Sequence, residues 1–246
     1  MLTKGRIKFI ESLKDKKTRT ERKLFVVEGE KSVAELLESD FSIDSLFLTR
    51  QFADKYASLL NKKHFVFETV EQEELEKMGS FTSNDSAIAV ARQKPNQEFI
   101  LNKDEIVLAL SDVRDPGNLG TILRIADWYG VTSIVASKTT TDLYNSKTIG
   151  ASMGSFLRVK VFYTDLESFL EKSGVPVFSA DMKGSNVHGM KFPKGGILLL
   201  GNESNGIPKE LTKYITEKIT IPRFGGAESL NVAIAGAVIL DNWRRN

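Results

Sequence analysis

The stretch that decides the fold is residues 219–240, which read ITIPRFGGAESLNVAIAGAVIL. A short β-type run ends at Pro222, and a glycine-bearing loop follows. Ser229 stands where a helix N-cap is expected, before an apolar run of small residues that ends at Leu240. Such a helix is predicted to be buried, and its polar start suits a polar ligand. The alternative is a C-terminal core helix with an ordinary serine cap.

Two other stretches combine with this one. Residues 115–127 read DPGNLGTILRIAD, and residues 198–208 read LLLGNESNGIP. Together with SLNVA at residues 229–233, they resemble the three motifs of the SpoU (TrmH-type) family of RNA ribose 2′-O-methyltransferases. The resemblance covers roughly residues 105–244, with the motifs in the right order. Three ordered motifs are far more specific than any one of them.

The fold class follows partly from the residues and partly from this resemblance. Strand-like and helix-like runs alternate after residue 105, which indicates an α/β fold with a mostly parallel sheet and helices on both faces. Strands are predicted over residues 106–110, 133–137, 175–180 and 196–200, and a helix over residues 166–173. The resemblance implies the SPOUT superfamily, whose fold carries a deep trefoil knot. Periodicity alone predicts no knot, since threaded chains are rare.

The first part of the chain is predicted to be a smaller α/β unit, which includes a helix over residues 52–60 and a strand over residues 65–68. Residues 22–33, RKLFVVEGEKSV, resemble the N-terminal substrate-binding domain of many SpoU proteins, which holds RNA on a ribosomal-protein-like fold. We therefore expect an RNA substrate-binding domain over residues 1–94, a linker over 95–104 and a methyltransferase domain over 105–246.

Composition excludes several chemistries. The 246 residues contain no cysteine, so disulfides, thiolate zinc sites and a cysteine nucleophile are absent from the chain. The histidines His64 and His188 are far apart and show no metal-ligand spacing, and we expect no metal. The start of the chain has no apolar signal segment, which favours a cytoplasmic protein. A net charge of +2 argues neither for nor against RNA.

Positive charge is nevertheless concentrated near the N-terminus. Basic residues outnumber acidic ones between Lys4 and Lys23. A basic arm is the electrostatic signature of a protein that binds phosphate backbones. We predict that RNA is bound by Lys14, Lys16, Lys17 and Arg19. The alternative is a solvated helix face followed by a mobile turn at residues 15–21.

Common nucleotide-binding and hydrolase motifs are missing. The chain has no G-x-G-x-x-G after a first strand, no G-x-x-x-x-G-K-[ST] and no G-x-S-x-G. Gly201 and Gly206 instead flank a polar turn after a buried strand, where parallel sheets form their ligand crevice. Gly201 is predicted to let a ligand approach the backbone.

The resemblance implies a pocket for S-adenosylmethionine, with cofactor contacts from Leu200, Gly201, Ile221 and Leu230. The polar residues at motif positions, and hence the candidate catalytic set, are Asn118, Arg124, Glu203, Ser229 and Asn231. By resemblance, Arg124 lies beside the target hydroxyl and handles its proton. A guanidinium normally stays protonated, which favours an electrostatic role for Arg124. Asn118 would orient the nucleotide or Arg124, and Glu203 would hold Arg124 or a neighbouring donor. Ser229 and Asn231 would shape the crevice.

The predicted function is S-adenosylmethionine-dependent 2′-O-methylation of a ribose in structured RNA, more often rRNA than tRNA. The family further implies a homodimer with the pocket near its interface. Three alternatives remain open at this point. They are a tRNA ribose methyltransferase, a base methyltransferase of the same superfamily, and a catalytically idle RNA-binding or ribosome-assembly protein.

Overall fold

The structure is a computed structural model that describes residues 2–81, 83–202 and 204–245. The strands are β1 (Leu24–Glu28), β2 (Ile43–Leu48), β3 (Glu68–Thr69), β4 (Ala87–Arg92), β5 (Ile106–Leu110), β6 (Ser133–Ser137), β7 (Lys160–Thr164), β8 (Val177–Asn186), β9 (Gly196–Leu200) and β10 (Glu217–Thr220). The helices are α1 (Lys4–Ser12), α2 (Lys16–Arg22), α3 (Glu30–Glu38), α4 (Arg50–Lys55), α5 (Ala57–Lys62), α6 (Gln72–Met78), α7 (Pro116–Trp128), α8 (Ser146–Ser152), α9 (Leu166–Ser173) and α10 (Val232–Arg244). Short 3₁₀ helices span Ser155–Leu157, Val187–Gly189 and Lys209–Tyr214.

The chain divides into two compact units. The first combines Met1–Pro95 with Asp142–Leu157, and the second combines Asn96–Thr141 with Arg158–Asn246. The first unit therefore takes in a segment that comes much later in the sequence. No helix within the described residues is long and apolar enough to span a membrane.

The first unit is built on a four-stranded sheet in the order β1-β4-β2-β3. Strand β4 pairs antiparallel with both of its neighbours, and β2 pairs parallel with the short edge strand β3. Apolar residues from α1, α6 and the strands form one buried cluster, which includes Ile10, Leu13, Phe47, Leu75 and Ile88. Helix α1 thus belongs to the packed core of the unit.

An aromatic cluster ties the segment Asp142–Leu157 into the first unit. The ring of Phe25 on β1 lies 4.6 Å from that of Tyr144 and 6.0 Å from that of Phe156, measured between centroids. Phe41 packs edge-on against both Phe25 and Phe156. Edge-on aromatic packing of this kind stabilises a core beyond the area that it buries. Burial raises the pKa of Tyr144 to about 12.

Several local predictions for the first unit are wrong. In place of the mobile turn offered as an alternative for residues 15–21, helix α2 begins at Lys16 with Asp15 as its side-chain cap. The helix expected over residues 52–60 is broken into α4 and α5 at Tyr56. The strand expected at residues 65–68 is reduced to Glu68–Thr69, because the pairing with β2 takes in Glu68 and Thr69 while Val66 is 91% exposed.

The second unit is built on a six-stranded sheet in the order β10-β8-β9-β5-β6-β7. All of its pairs are parallel, and the central strands β5 and β9 are fully buried. The predicted bounds of β5, β6, β9 and α9 are confirmed. The predicted α/β class with its parallel sheet is therefore confirmed, and the trefoil knot stays a prediction.

Two elements of the second unit differ from expectation. Strand β8 was expected to end at Ala180 but continues to Asn186, with a register shift against β10. Helix α10 begins at Val232, and its N-cap is Asn231 rather than Ser229. The Asn231 side chain accepts hydrogen bonds from the Ala233 and Ile234 amides, at 2.9 and 3.3 Å. Asparagine is as good an N-cap as serine, so residue type did not decide between them.

Candidate active site

The candidate site begins where the parallel strands β5 and β9 end side by side. The Ser111 amide donates to the Leu200 carbonyl at 2.9 Å, which keeps the two strands paired beyond β5. Asp112 then turns the chain with a left-handed φ of 58°, which aspartate tolerates better than most residues. The carboxyl ends of adjacent parallel strands are where α/β proteins place their ligands.

Asn202 fixes the loop that follows β9. Its backbone exchanges two hydrogen bonds with Gly206, at 3.0 and 2.9 Å. Its side-chain oxygen accepts from the amides of Ser204 and Asn205, and its amide nitrogen donates to the Asp112 carbonyl at 2.8 Å. One side chain therefore closes the loop and attaches it to the end of β5.

Gly201 is required by this loop itself. A Cβ at Gly201 would lie 2.5 Å from the carbonyl carbon of Gly206 and 2.8 Å from the Ile207 nitrogen. These are backbone atoms, so they cannot move aside as a side chain would. The loop backbone is therefore a second reason for glycine here, and close approach of a ligand to Gly201 stays a prediction. Gly206 is needed for a different reason, a left-handed φ of 65°.

An ion pair stands at the end of β5. The guanidinium of Arg114 donates to the Asp112 carboxylate at 3.0 Å. This hydrogen bond lowers the pKa of Asp112, so the carboxylate stays charged at neutral pH. The pair fixes the turn that leads into α7.

The starts of α7 and α10 are joined by two asparagines. Asp115 caps α7 by accepting from the Asn118 amide at 2.8 Å, and Pro116 takes the first helical position. The Asn231 side chain, besides capping α10, donates to the Asn118 side-chain oxygen at 2.8 Å. Residues 113 positions apart in the chain are thereby brought into direct contact.

The other candidate catalytic residues, Arg124, Ser229 and Glu203, are not joined to the Asn118–Asn231 pair by a described hydrogen bond. Arg124 is exposed on α7, and within residues 2–81, 83–202 and 204–245 it has no hydrogen bond or ion pair. Ser229 is exposed in the loop before α10 and is not its cap. Glu203 lies outside the described residues, so its expected pairing with Arg124 stays a prediction.

The candidate cofactor residues are spread over neighbouring strand ends. Leu200 is buried under α10, where a Cβ at Gly236 would lie 3.1 Å from the Leu200 side chain. Ile221 is partly exposed after β10, and Leu230 is 51% exposed before α10. Strand β8 lies between β9 and β10, so its end separates the loops that carry these residues.

Ser179 on β8 is a residue that the sequence analysis missed. It is fully buried, and its hydroxyl has no hydrogen-bond partner among the described parts of the chain. Buried hydroxyls normally have a partner, so this one, which lies beside Leu199 near the carboxyl end of β9, suits a polar ligand. A hydroxyl without a partner and the exposed apolar side chains of Ile221 and Leu230 are groups of the kind that a nucleoside cofactor such as S-adenosylmethionine contacts. No sequence signal marks Ser179, because the strand order that places β8 here is not visible in the sequence.

The predicted RNA contacts separate into two groups. Lys14, Lys16 and Lys17 are exposed, as binding to phosphates requires. Arg19 is only 2% exposed, and its Nη2 donates to the Asp142 carboxylate at 2.8 Å. Its Nη1 donates to the Leu13 and Lys14 carbonyls at 2.9 and 2.7 Å. With its donors satisfied inside the first unit, Arg19 is a structural residue and not an RNA contact.

Comparison with known proteins adds the following. Residues 105–241 match the family model described as the SpoU rRNA Methylase family, and residues 4–89 match an MRM3-like substrate binding domain. The 23S rRNA (guanosine(2553)-2′-O)-methyltransferase RlmP of Bacillus subtilis is 28% identical over 248 residues, 97% of this chain and 96% of that protein.

Solved structures of similar proteins match the whole chain, and two of them are the following. An AdoMet-bound rRNA methyltransferase from Sinorhizobium meliloti has a TM-score of 0.88 at 30% identity, covering 100% of this chain and 96% of that one. An RNA methyltransferase of the TrmH family from Porphyromonas gingivalis has a TM-score of 0.86 at 32% identity, covering 100% and 99%. Both the parallel sheet unit and the smaller unit therefore have counterparts among these structures.

Proposed function

The chain belongs to the SpoU rRNA methylase family, and we propose that it methylates a ribose 2′-hydroxyl of ribosomal RNA with S-adenosylmethionine as methyl donor. The observation that carries the proposal is the 2.8 Å hydrogen bond between Asn118 and Asn231. It joins the first and third motifs at the carboxyl edge of the sheet, where the loop after β9 supplies the second. Three separate stretches thus meet where a parallel sheet binds its ligand.

Methyl transfer to a hydroxyl requires alignment of the oxygen and stabilisation of the charge that it acquires. S-adenosylmethionine, when bound, supplies a methyl group carried on a positively charged sulfur. The cofactor would be held by one hydroxyl, backbone groups and apolar side chains. The residues that would supply them are Ser179, Leu200, Gly201, Ile221 and Leu230. The Asn118–Asn231 pair would orient the ribose, since alignment of reactants can lower a barrier by several kcal/mol.

Arg124 would act on the RNA. Because it is exposed on α7, its guanidinium can reach a phosphate or the 2′-oxygen of a bound nucleotide. A positive charge beside that oxygen favours loss of its proton as the new bond forms, and the proton passes to water. This electrostatic role needs no deprotonation of the arginine itself.

Ribosomal RNA is favoured over tRNA as the substrate. The Bacillus subtilis relative is named for 23S rRNA and aligns over nearly the whole of both chains, including the part matched to a substrate-binding domain. The test is incubation with methyl-labelled S-adenosylmethionine and total RNA lacking the modification, followed by size fractionation. We expect label in the rRNA fraction. Label in the tRNA fraction alone would exclude the rRNA proposal.

We also propose that the enzyme is a homodimer through α7 and α10. The two helices pack side by side, and Arg244 donates to the Tyr129 carbonyl at 2.8 Å. Each exposes a large apolar side chain, Trp128 at 84% and Ile234 at 50%. A second copy would cover these side chains, because apolar surface of this kind marks interfaces.

A further inference from the structure

The loop after α6 in the first unit holds an exposed aromatic ring in a fixed position. The Glu28 carboxylate is buried and accepts from the Ser80 amide at 2.7 Å and from the Phe81 amide at 3.2 Å. Charge-assisted bonds to two successive amides fix the backbone at the base of the Phe81 side chain. The strand end at Glu28 therefore positions this loop.

The Phe81 ring rests on two glycines. A Cβ at Gly29 would lie 3.3 Å from the ring, and a Cβ at Gly150 would lie 3.5 Å from it. Gly29 follows β1 and Gly150 lies on α8, so the ring packs on backbone from two distant stretches. Phe81 is nevertheless 40% exposed, which leaves part of the ring open to solvent.

Exposed lysines lie on the segments that pack around this ring. Lys14, Ser80 and Ser146 line one narrow crevice, and Phe81 is the next residue after Ser80. Lys147 follows Ser146 and is exposed, one helical turn before Gly150 on α8. Of the carboxylates on these segments, Glu28 is engaged as above, Asp15 caps α2, and Glu35, which lies against Gly154, pairs with Lys31 at 3.8 Å. Exposed positive charge beside an exposed ring matches a nucleic acid, which presents phosphates and flat bases.

We propose that Phe81, flanked by Lys14 and Lys147, is a stacking platform for one unpaired base of the RNA substrate. The inference rests on the proposed function, because it concerns the same RNA. The ring stacks on the base, and the lysines contact the phosphates on either side. Only an unpaired base can turn its flat face to the ring, so the platform selects unpaired over paired nucleotides. Stacking does not depend on which base it is.

The test uses the full chain and a short fluorescein-labelled RNA hairpin with an unpaired loop, compared with a duplex of the same length. Phe81→Leu keeps an apolar side chain on the glycines but removes the aromatic face, and Phe81→Trp keeps that face. We expect Phe81→Leu to bind the hairpin about tenfold more weakly and to lose the preference over the duplex. Phe81→Trp should bind like the natural chain, and its added tryptophan fluorescence should be quenched by the hairpin.

Two results would overturn the platform. The first is that Phe81→Leu binds the hairpin as tightly as the natural chain does. The second is that Phe81→Leu and Phe81→Trp bind it equally weakly, which would mean that Phe81 serves only in packing. Methylation is measured separately with the natural chain. If the natural chain methylates RNA but Phe81→Leu does not change hairpin binding, the platform is excluded and the proposed function stands. If Phe81→Leu weakens hairpin binding but the natural chain methylates no RNA, the platform stands and the proposed function is excluded.

Discussion

At the scale of single residues, two arginines show what sequence reasoning could and could not settle. Arg19 and Arg124 both stand in stretches that suggest RNA contact, and sequence alone does not distinguish them. The structure separates them by burial, since Arg19 is enclosed with Asp142 while Arg124 is exposed. The partner of Arg19 is 123 residues away, and such a distant ion pair is not visible in a local pattern.

Arg124→Ala is predicted to lower the methylation rate by about 10²–10³-fold, the loss expected when one charge-stabilising donor is removed. S-adenosylmethionine affinity and thermal stability should stay unchanged, because Arg124 is exposed. Single-turnover methylation measures the rate, calorimetric titration measures the affinity, and thermal unfolding measures the stability. Arg50→Ala, which removes another exposed helical arginine, is the matched control and should keep full activity. A fully active Arg124→Ala enzyme would exclude Arg124 from the mechanism.

Asn231 has two separable roles, as the α10 cap and as the partner of Asn118. Asn231→Ala removes both and should lower the free energy of unfolding by about 1 kcal/mol. Asn231→Ser can still cap the helix but is too short to reach Asn118, so most of the stability should return. Denaturant unfolding and methylation are measured on both variants. Full activity of Asn231→Ser would show that the Asn118 contact is not needed for catalysis.

At the scale of elements, the sequence predicted best where strands are buried on both sides. The bounds of β5, β6 and β9 follow from short apolar runs between turn residues, which leave little choice of register. The sequence predicted strand bounds least well where pairing with a neighbouring strand decides how long a strand is, as for the edge strand β3 and the extended strand β8. The cap of α10 was misplaced by two residues for a related reason, since serine and asparagine are equally suitable caps.

The loop between β9 and the following 3₁₀ helix gives a test at this scale. Gly201→Ala should lower the free energy of unfolding by about 1–3 kcal/mol, because the new methyl group meets the Gly206 backbone. Cofactor affinity should fall with it, since the loop must shift. Gly225→Ala, where a Cβ meets nothing within 4 Å, is the matched control. Equal stability and affinity for Gly201→Ala and Gly225→Ala would contradict the loop account.

At the scale of the whole molecule, the two-unit organisation was only partly visible in the sequence. The family models follow the order of the chain, whereas Asp142–Leu157 packs with the first unit through Tyr144 and Phe156. Packing of this kind depends on contacts between distant residues, and no turn or composition change marks it. The proposed homodimer likewise rests on side chains, Trp128 and Ile234, whose exposure only the structure reveals.

Trp128→Glu is predicted to convert the proposed dimer to a monomer, because it places a charge at the centre of an apolar contact. The exposed position of Trp128 means that the fold of each copy should persist. Sedimentation velocity measures the mass, and circular dichroism checks the fold. Phe224→Glu, at another exposed aromatic residue, is the matched control and should leave the mass unchanged. A Trp128→Glu variant with the mass of the natural protein would place the interface elsewhere.

The measurement that tests the central claim most directly is identification of the methylated nucleoside. RNA methylated by the natural chain and by Arg124→Ala is digested completely, and the labelled nucleosides are resolved by chromatography and mass spectrometry. The account predicts a single labelled nucleoside with the methyl group on its ribose 2′-oxygen, and far less of it from Arg124→Ala. A methyl group on a base would contradict the account and indicate a base methyltransferase built on the same fold.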